Sequence, residues 1–405
     1  MKILHTSDWH LGHRLHEYSQ FEEQTLFLSW LEQTIKEDEI DVLLISGDVF
    51  DTNTPSSQSL KMYYNFLVNL RTSNCKHIVI TGGNHDSPGT LNAPKEILNA
   101  LDIKVVGKAT GNIEDEVFLL EKGSEKVIVA ATAYLRDQDI RRAVEGEKFD
   151  EITDRYKTAL INHYQNAADR CEEIKKTHQE AVIIGMGHLF AIGGSVSESE
   201  QSIYVGTLGH IGADDFPKAF DYIALGHLHR PQIVGGNDKI RYCGSPNILS
   251  FSEIGYDKKI IILETKESDI KRIEDMVIPK FRELLKIKGT KAECLTQVEL
   301  LEPPRTDLST WVEIEIEDGK SDYRGFQEIY DAVENRAIEI LKISNKSNRS
   351  ITGLEELVKN AESVKDLSPE EVFKQKYTEV GNEKGDIPDV IDAFNEILNI
   401  VREKE

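Results

Sequence analysis

The sequence lacks the features that mark several specialised classes of protein. It has only four cysteines, which lie far apart and form no CxxC pair, so neither a disulfide framework nor a zinc knuckle is expected. No apolar run is long enough to span a membrane, and the first residues lead into a strand without the basic and apolar regions of a signal peptide. These absences predict a cytoplasmic protein without a membrane anchor.

The chain also lacks the basic excess that nucleic-acid-binding proteins usually show. Its 48 Lys and Arg residues are outnumbered by 71 Asp and Glu residues, which gives a formal net charge of −23. Net charge does not exclude a local basic patch, and divalent cations in a carboxylate-lined site would neutralise part of it. The composition therefore predicts an acidic globular protein and leaves a polyanionic substrate open.

The 405 residues are enough for two or three domains. Residues 1–135 alternate short apolar strands with amphipathic helices, a pattern typical of α/β layering, and this first domain is expected to extend to residue 275. Residues 276–345 predict a small α+β domain, in which Trp311 to Glu317 alternates as a half-exposed strand. Residues 346–405 read as a polar linker followed by two amphipathic helices.

The two predicted C-terminal helices each carry an apolar stripe. The first begins at Ser368-Pro369, an N-cap followed by proline at the first helical position. Such stripes either pack on the small domain or bind a groove on a partner, and the sequence favours neither. The candidate partner-binding residues are Val372, Phe373, Tyr377, Ile391, Phe394 and Leu398.

Side chains of metal-binding type follow five of the predicted strands. In open α/β sheets, ligands bind at the carboxyl ends of strands, so these side chains are expected to meet. The central stretch is Gly82-Gly83-Asn84-His85-Asp86, after the apolar strand His77 to Ile80. The other strand ends carry Asp8-Trp9-His10, Gly47-Asp48-Val49-Phe50-Asp51, Gly187-His188 and Gly226-His227-Leu228-His229.

Seven of these side chains form a set of oxygen and nitrogen ligands without sulfur, which suits Mn²⁺, Fe or Zn²⁺. Seven is too many for one ion but fits two ions that share a carboxylate, about 4 Å apart, and hold a hydroxide that attacks phosphorus. Asp48 is the expected bridge, and His85 is left as a general acid. Asp51 and Asp86 are expected to orient ligands. The seven are Asp8, His10, Asp48, Asn84, His188, His227 and His229.

A lone histidine after a strand is more often an ordinary hydrogen-bonded residue than a metal ligand. Similarly, Arg136, Arg141 and Arg142 could contact phosphates, but a solvated helix face is the favoured interpretation. The ordinary interpretation is kept for His5, His13, His16, His77, His163, His178 and His210.

The motif order DxH, GDxxD, GNHD, GH and GHxH resembles the calcineurin-like metallophosphoesterase family. The longer strings Thr6 to Gly12 and Asp221 to Arg230 are similar to its bacterial nuclease subunits, which act with an SMC-like coiled-coil ATPase. The resemblance implies a four-layer β-sandwich flanked by helices in residues 1–275, a capping domain in 276–345, and ATPase-binding helices in 346–405.

The resemblance also implies chemistry. It implies two divalent ions, Mn²⁺ with Mg²⁺, Fe or Zn²⁺ as alternatives, in a DNA nuclease of repair, recombination and replication. With its ATPase the enzyme would be an ATP-dependent double-strand exonuclease and a single-strand and hairpin endonuclease. By residue match, one ion takes Asp8, His10, Asp48 and His229, and the other takes Asp48, Asn84, His188 and His227.

Oligomeric state and competing functions complete the expectations. The family implies a homodimer, formed around Leu60 to Leu70, within a heterotetramer, although that apolar stripe equally suits buried core. The rival enzyme function is a free-standing metallophosphoesterase acting on small phosphoesters. A non-catalytic scaffold is disfavoured, because a scaffold has no use for seven metal ligands.

Overall fold

The computed structural model describes residues 1–136, 139, 149–191, 211–317 and 324–345. Across these ranges, no helix combines the length and apolar character needed to cross a membrane. Arg141, Arg142 and the apolar stripes predicted beyond residue 346 lie outside the described residues.

Six strands form the first sheet, and most of them are apolar runs recognisable in the sequence. In spatial order they are β14 (Asp269–Val277), β13 (Lys259–Lys266), β1 (Lys2–Thr6), β4 (Val42–Ser46), β5 (His77–Thr81) and β6 (Ile103–Val106). Strands β1, β4, β5 and β6 run parallel, and β13 pairs antiparallel with β1. All five residues of β4 are buried, because the sheet is covered on both faces.

The second sheet also has six strands and carries the other predicted ligand strands. In spatial order they are β11 (Gln232–Val234), β12 (Asn237–Tyr242), β10 (Tyr222–Gly226), β9 (Val182–His188), β8 (Glu125–Ala131) and β7 (Val117–Lys122). Strands β8, β9, β10 and β12 are parallel, whereas the edge strands β7 and β11 are antiparallel to their neighbours. Ligand-bearing ends of β9 and β10 therefore point the same way.

The sheets pack face to face around inward-facing residues such as Leu44, Val79, Val129 and Ile184. Helices α1 (Phe21–Glu37) and α2 (Ser57–Leu70) cover the first sheet, and α5 (Phe149–Lys175) covers the second. The result is the four-layer α/β sandwich expected from the sequence. The helices of this part are α1 (Phe21–Glu37), α2 (Ser57–Leu70), α3 (Pro88–Asn92), α4 (Lys95–Asn99) and α5 (Phe149–Lys175).

A separate three-stranded sheet follows, which we call the small unit (residues 284–317 and 324–345). Its strands are all parallel, and a helix connects β15 (Leu284–Gly289) to β16 (Thr310–Ile316). The connections are thus of βαβ type rather than the α+β arrangement expected. The elements are β15 (Leu284–Gly289), α6 (Lys291–Glu299), β16 (Thr310–Ile316), α7 (Arg324–Asp331) and β17 (Ile338–Asn345).

The alternating strand β16 is buried on both faces, which corrects the half-exposed strand predicted for it. Glu313 and Glu315 are only 7% and 5% exposed. Neighbouring lysines cover them, with Lys286 Nζ at 2.7 Å from Glu313 Oε2 and Lys288 Nζ at 3.3 Å from Glu315 Oε2. The face of β16 that carries the alternating glutamates therefore forms ion pairs with lysines and does not face solvent.

Arg282 joins the small unit to the sandwich. Its guanidinium donates to Glu23 and, at 2.9 Å, to Glu22, both in α1. It also donates to the Ser309 carbonyl at 2.9 Å and lies 4.1 Å from the ring centre of Trp311. Because one buried cation is shared by both parts, its hydrogen bonds fix the orientation of the small unit.

Candidate metal centre

The seven predicted ligands converge where strands of both sheets end. Asp8, Asp48 and Asn84 follow β1, β4 and β5, His188 ends β9, and His227 follows β10. All are buried except Asn84, which is half-buried. His10 and His229 lie two residues beyond Asp8 and His227, in the same turns. Turns from five strands therefore place seven donor groups at one edge of the sandwich.

Four of the seven residues have a left-handed backbone conformation. The φ angles are 52° at Asp8, 45° at His10, 48° at Asp48 and 105° at His227. Hydrogen bonds hold the turns together, such as the one from His10 N to Asp48 O at 3.0 Å. Non-glycine residues adopt such angles at a cost, which structures retain mainly at functional sites.

Two glycines leave the room that the ligands need. A Cβ atom on Gly47, where φ is 84°, would lie 2.1 Å from His188 Nδ1. A Cβ atom on Gly83 would lie 2.1 Å from Asp48 Oδ1. Both contacts are far inside van der Waals separation, so glycine at these positions is a requirement of the site.

Side-chain carboxylates orient two of the histidines. His10 Nδ1 donates to Asp51 Oδ1 at 3.2 Å, and His229 Nδ1 donates to Glu253 Oε1 at 3.3 Å. The other nitrogen of His10, Nε2, is buried and has no hydrogen-bond partner among the described residues. Donor atoms of Asp8, His10 and His229 all lie within 4.8 Å of one another. An unpaired buried nitrogen beside a carboxylate favours a bound cation there.

The opposite half of the centre is held by main-chain and amide oxygens. His188 Nδ1 donates to the Ser46 carbonyl at 2.9 Å. His188 Nε2 lies 3.0 Å from Asn84 Oδ1 and 3.1 Å from Asp48 Oδ2. His227 Nδ1 lies 2.9 Å from the same Asn84 oxygen. One amide oxygen and two imidazoles thus meet on this side.

Asp48 lies between the two halves. Its Oδ2 is 3.1 Å from His188 Nε2 on one side and 3.6 Å from His10 Nε2 on the other. Its Oδ1 accepts a hydrogen bond of 2.9 Å from the His85 backbone N–H. The carboxylate is placed as a bridging ligand would be.

The charges of the centre suit the binding of cations. Burial raises the pKa of Asp8 to about 6 and lowers those of His10 and His227 to about 4 and 3. Burial opposes ionisation of Asp48 and His188, yet their mutual attraction outweighs it. The pKa of Asp48 falls well below its usual range, and that of His188 rises to about 9. Neutral His10 and His227 have a lone pair available for a metal.

His85 lies beside the ligands with one nitrogen already engaged. Its Nδ1 donates to the Asp51 carbonyl at 2.8 Å, and its ring centre is 4.9 Å from that of His10. The side chain is half-buried, unlike the histidines behind it. This leaves Nε2 as the nitrogen available to a substrate.

The fully buried Asp86 ties two ligand turns together. Its carboxylate accepts from the backbone N–H of Gly83 at 2.9 Å, of Phe50 at 3.0 Å and of Val49 at 3.1 Å. Burial raises the pKa of Asp86 to about 6. Asp86 therefore acts on the backbone that carries ligands, in line with the orienting role expected for it.

Glu253 is a residue of the centre that the sequence did not reveal. It is fully buried, and Lys258 Nζ donates to its Oε2 at 2.7 Å. Burial opposes its ionisation, but the Lys258 cation holds the pKa of Glu253 well below its usual range. Glu253 lies 24 residues after His229, at the end of a short 3-10 helix (Phe251–Glu253), where no spacing rule indicates a role.

Tyr134 and Arg136 also border the centre and were not assigned to it. The Tyr134 ring is stacked on that of His227, with centres 6.4 Å apart. Arg136 donates from its guanidinium to the Asp86 carbonyl at 3.2 Å. Arg136 thus follows β8 close to the ligand turns, which corrects the solvated helix face favoured for it.

The residues present fit a pair of divalent cations. They offer carboxylate, amide and imidazole donors without sulfur, a set suited to Mn²⁺, Mg²⁺, Fe or Zn²⁺. The unpaired Nε2 of His10 and the clustered donor atoms both favour bound metal. By contrast, His5 has the ordinary role expected, since its nitrogens hydrogen-bond Tyr222 Oη and the Leu225 carbonyl.

Comparison with sequence families identifies the class. A family described as calcineurin-like phosphoesterase matches residues 1–231, which include all seven predicted ligands. A second family, described as the type 5 capsule protein repressor C-terminal domain, matches residues 280–380. The chain belongs to the calcineurin-like phosphoesterase family, and the resemblance noted in the sequence is confirmed.

Curated relatives narrow the family to the branch that contains the D subunits of nuclease SbcCD. The chain is 34% identical over 377 residues to the D subunit of nuclease SbcCD from Escherichia coli strain K12, covering 93% of this chain and 92% of that protein. It is 30% identical over 413 residues to the protein of the same name from Bacillus subtilis strain 168, covering 100% of both. The protein of that name from Rhodobacter capsulatus is 34% identical over 276 residues, covering 65% of this chain and 66% of that one.

Proposed function

We propose that this chain is a metal-dependent nuclease that hydrolyses DNA phosphodiesters as the D subunit of an SbcCD-type complex. The observation that carries the proposal is the position of Asp48, within 3.6 Å of His10 and 3.1 Å of His188. A carboxylate shared by two clusters of donors is what a two-metal hydrolase requires. Membership of the phosphoesterase family and the nuclease name of its relatives agree with this chemistry.

The proposed ligand division follows the two halves described above. Bound divalent cations there would polarise a phosphate oxygen and activate water at neutral pH, and Mn²⁺ is the proposed ion. The first ion has the donors Asp8, His10, Asp48 and His229, and the second has Asp48, Asn84, His188 and His227.

His85 is the proposed general acid. The hydrogen bond from its Nδ1 to the Asp51 carbonyl fixes the ring, so that a proton on Nε2 points toward the substrate side. That proton would pass to the leaving oxygen of the cleaved strand. Asp51 and Asp86 keep the orienting roles that their contacts with His10 and with the ligand turns support.

We further propose that the small unit caps the DNA site and that the C-terminal helices bind an SbcC-like coiled-coil ATPase. Because the free chain carries a charge of −23, the partner would supply much of the DNA affinity. The proposed assembly is a homodimer of this chain within a heterotetramer, located in the cytoplasm and on the nucleoid when bound to DNA. Most of the Leu60 to Leu70 stripe is buried core, so the dimer would use the outer surface of α1 and α2.

The test is cleavage of end-labelled duplex, hairpin and single-stranded DNA by the purified chain with Mn²⁺. The assay is run with and without an SbcC-type ATPase and ATP, and with chelator as the blank. We expect metal-dependent cleavage of short single strands by the chain alone, and processing of duplex and hairpin ends only with the partner and ATP.

A chromogenic phosphate ester is the matched control substrate. Full activity on that ester, without DNA cleavage and without any effect of the partner, would support the free-standing phosphoesterase instead. Loss of all cleavage in an Asp48→Ala variant excludes a contaminating nuclease as the source of activity.

A further inference from the structure

A loop that we call the support loop (residues 245–254) lies between the metal centre and the small unit. On the metal side, its Glu253 receives the hydrogen bond from His229 Nδ1. Lys258 fixes the base of the loop, since its Nζ donates to Ser245 Oγ at 2.7 Å and to Glu253 Oε2 at 2.7 Å. The position of the loop therefore sets the position of His229.

The same loop also reaches His10. His13 Nε2 lies 3.1 Å from the Leu249 carbonyl oxygen, and His13 Nδ1 lies 2.8 Å from Asp51 Oδ1. Asp51 Oδ1 is also the acceptor for His10 Nδ1. The Leu249 N–H donates to Glu253 Oε2 at 3.0 Å. This hydrogen bond links the contacts that lead to His10 with the contact that Glu253 makes to His229. Both imidazoles of one proposed metal site are thus held by one loop.

On its other side the support loop is packed against the small unit. Phe251 is 5% exposed and lies in one apolar cluster with Trp311 and two leucines of the small unit. The His16 ring stacks on Phe251 with centres 5.7 Å apart, and His16 Nε2 lies 3.3 Å from Glu313 Oε1. A shift of the small unit would therefore move Phe251, two residues from Glu253.

The second proposed metal site has no such connection among the described contacts. His188 is held by the Ser46 carbonyl, and His227 lies against Asn84. These partners belong to β4 and to the turn after β5, inside the sandwich. Movement of the small unit would leave them in place.

We propose that docking of the small unit selectively sets the affinity of the metal site formed by Asp8, His10 and His229, with the support loop as the positioning element. The inference rests on the proposed pair of metal ions. The affinity for one ion of the pair would then depend on the position of the small unit, whereas the affinity for the other ion would depend on the sandwich alone.

The test is calorimetric titration of the metal-free full-length protein with Mn²⁺, combined with electron paramagnetic resonance, which distinguishes a coupled pair of ions from a single one. The parent should bind two ions. Phe251→Ala, in the loop, and Trp311→Ala, in the small unit, should each lower the affinity for one ion by about 10–100-fold and leave the affinity for the other ion unchanged. The resonance spectrum should change from that of a pair to that of an isolated ion.

Two further variants separate positioning from general loss of stability. Phe216→Ala removes an equally buried phenylalanine, also 5% exposed, from a different cluster, and should leave both ions unchanged. Phe251→Met keeps most of the apolar volume and should restore parental binding. If Trp311→Ala does not fold, Arg282→Lys can replace it. This substitution keeps the positive charge at residue 282 but weakens the contact between the small unit and the sandwich, so it should lower the affinity for the same ion.

Three results would overturn the proposal. An equal loss of affinity for both ions in Phe251→Ala would show that the support loop does not act on one metal site selectively. Unchanged binding in the folded Trp311→Ala or Arg282→Lys variant would remove the small unit from the coupling. A selective loss in Phe216→Ala would reduce the effect to general destabilisation. A parent protein that binds no Mn²⁺ pair would instead refute the proposed function on which the inference rests.

Discussion

Each half of the metal centre contains two imidazoles, but the two halves support these imidazoles differently. His10 and His229 are oriented by side-chain carboxylates, Asp51 and Glu253, which lie in loops. His188 is oriented by a main-chain carbonyl at the end of β4, and the adjoining turns are framed by glycines. Loop carboxylates can move without breaking a sheet, whereas the end of a buried strand cannot. One half is therefore adjustable and the other is fixed.

The largest effect is expected from the residue that belongs to both halves. Asp48→Ala should bind neither ion well and show no detectable nuclease activity, because the carboxylate lies between the two sets of donors. The protein should still fold, since its sandwich core is apolar and extensive. Metal content by elemental analysis and DNA cleavage check both points, and parental metal stoichiometry would remove Asp48 from the bridge.

His85→Ala should separate catalysis from metal binding in both halves. We expect both ions to be retained and cleavage to fall by about 10²–10⁴-fold, the usual contribution of a general acid. The measurement is single-turnover cleavage of labelled DNA at saturating Mn²⁺, with metal content as the control. A parental rate, or loss of an ion, would refute the assignment.

Gly47→Ala tests the fixed half. A Cβ atom there would lie 2.1 Å from His188 Nδ1, and φ is 84°, so the substitution should displace His188 and weaken the ion on its side. The ion on the His10 side should be weakened less. Mn²⁺ titration reports the two affinities, with Gly236→Ala as the control, since that glycine also has positive φ but nothing within 4 Å of the added atom.

Asp51→Asn tests the adjustable half and should have a milder effect. The amide keeps the shape of the side chain but weakens its hydrogen bond with His10 Nδ1, so one ion should bind about 10–100-fold less tightly. The ion held by His188 should be unaffected. Equal loss at both sites in the titration would contradict the division of the centre into two independently supported halves.

Removal of residues 366–405 should have the smallest effect on the centre. All proposed ligands precede residue 230, so both halves and basal cleavage of short single-stranded DNA should remain. Association with the ATPase should be lost, because each large apolar side chain buried on a partner contributes about 1.5–3 kcal/mol. Phe394→Glu should cause much of the same loss. Retention of the ATPase by the truncated chain in a pull-down would place its binding surface elsewhere.

The sequence predicted well which strand-end side chains converge, and the reason is local. An apolar run followed by glycine and a polar side chain, as at Ile45 to Asp48, records both the strand and the turn in adjacent residues. The parallel sheets then bring such turns together without further information from the sequence. The order of the motifs also matched a known family, which supplied the division between two ions.

The supports of the ligands could not be predicted in the same way. Glu253 contacts His229 across an irregular loop, and Arg282 reaches α1 over a separation of 259 residues to Glu23. Neither follows a helix or strand period. The prediction of a half-exposed β16 was wrong for a related reason, since lysines on the neighbouring strand β15 cover its glutamates. Pairing between distant charged residues is a property of tertiary structure.

The ligands come from both sheets, so each bound ion would also be a crosslink between the layers of the sandwich. Asp8, Asp48 and Asn84 follow strands of the first sheet, His188 ends a strand of the second sheet, and His227 follows another strand of that sheet. An ion at about 100 times its dissociation constant adds about 2.7 kcal/mol to the free energy of unfolding. Chelation should therefore speed amide hydrogen exchange first at the ends of β4 and β9, while the opposite edge of the sandwich keeps its protection.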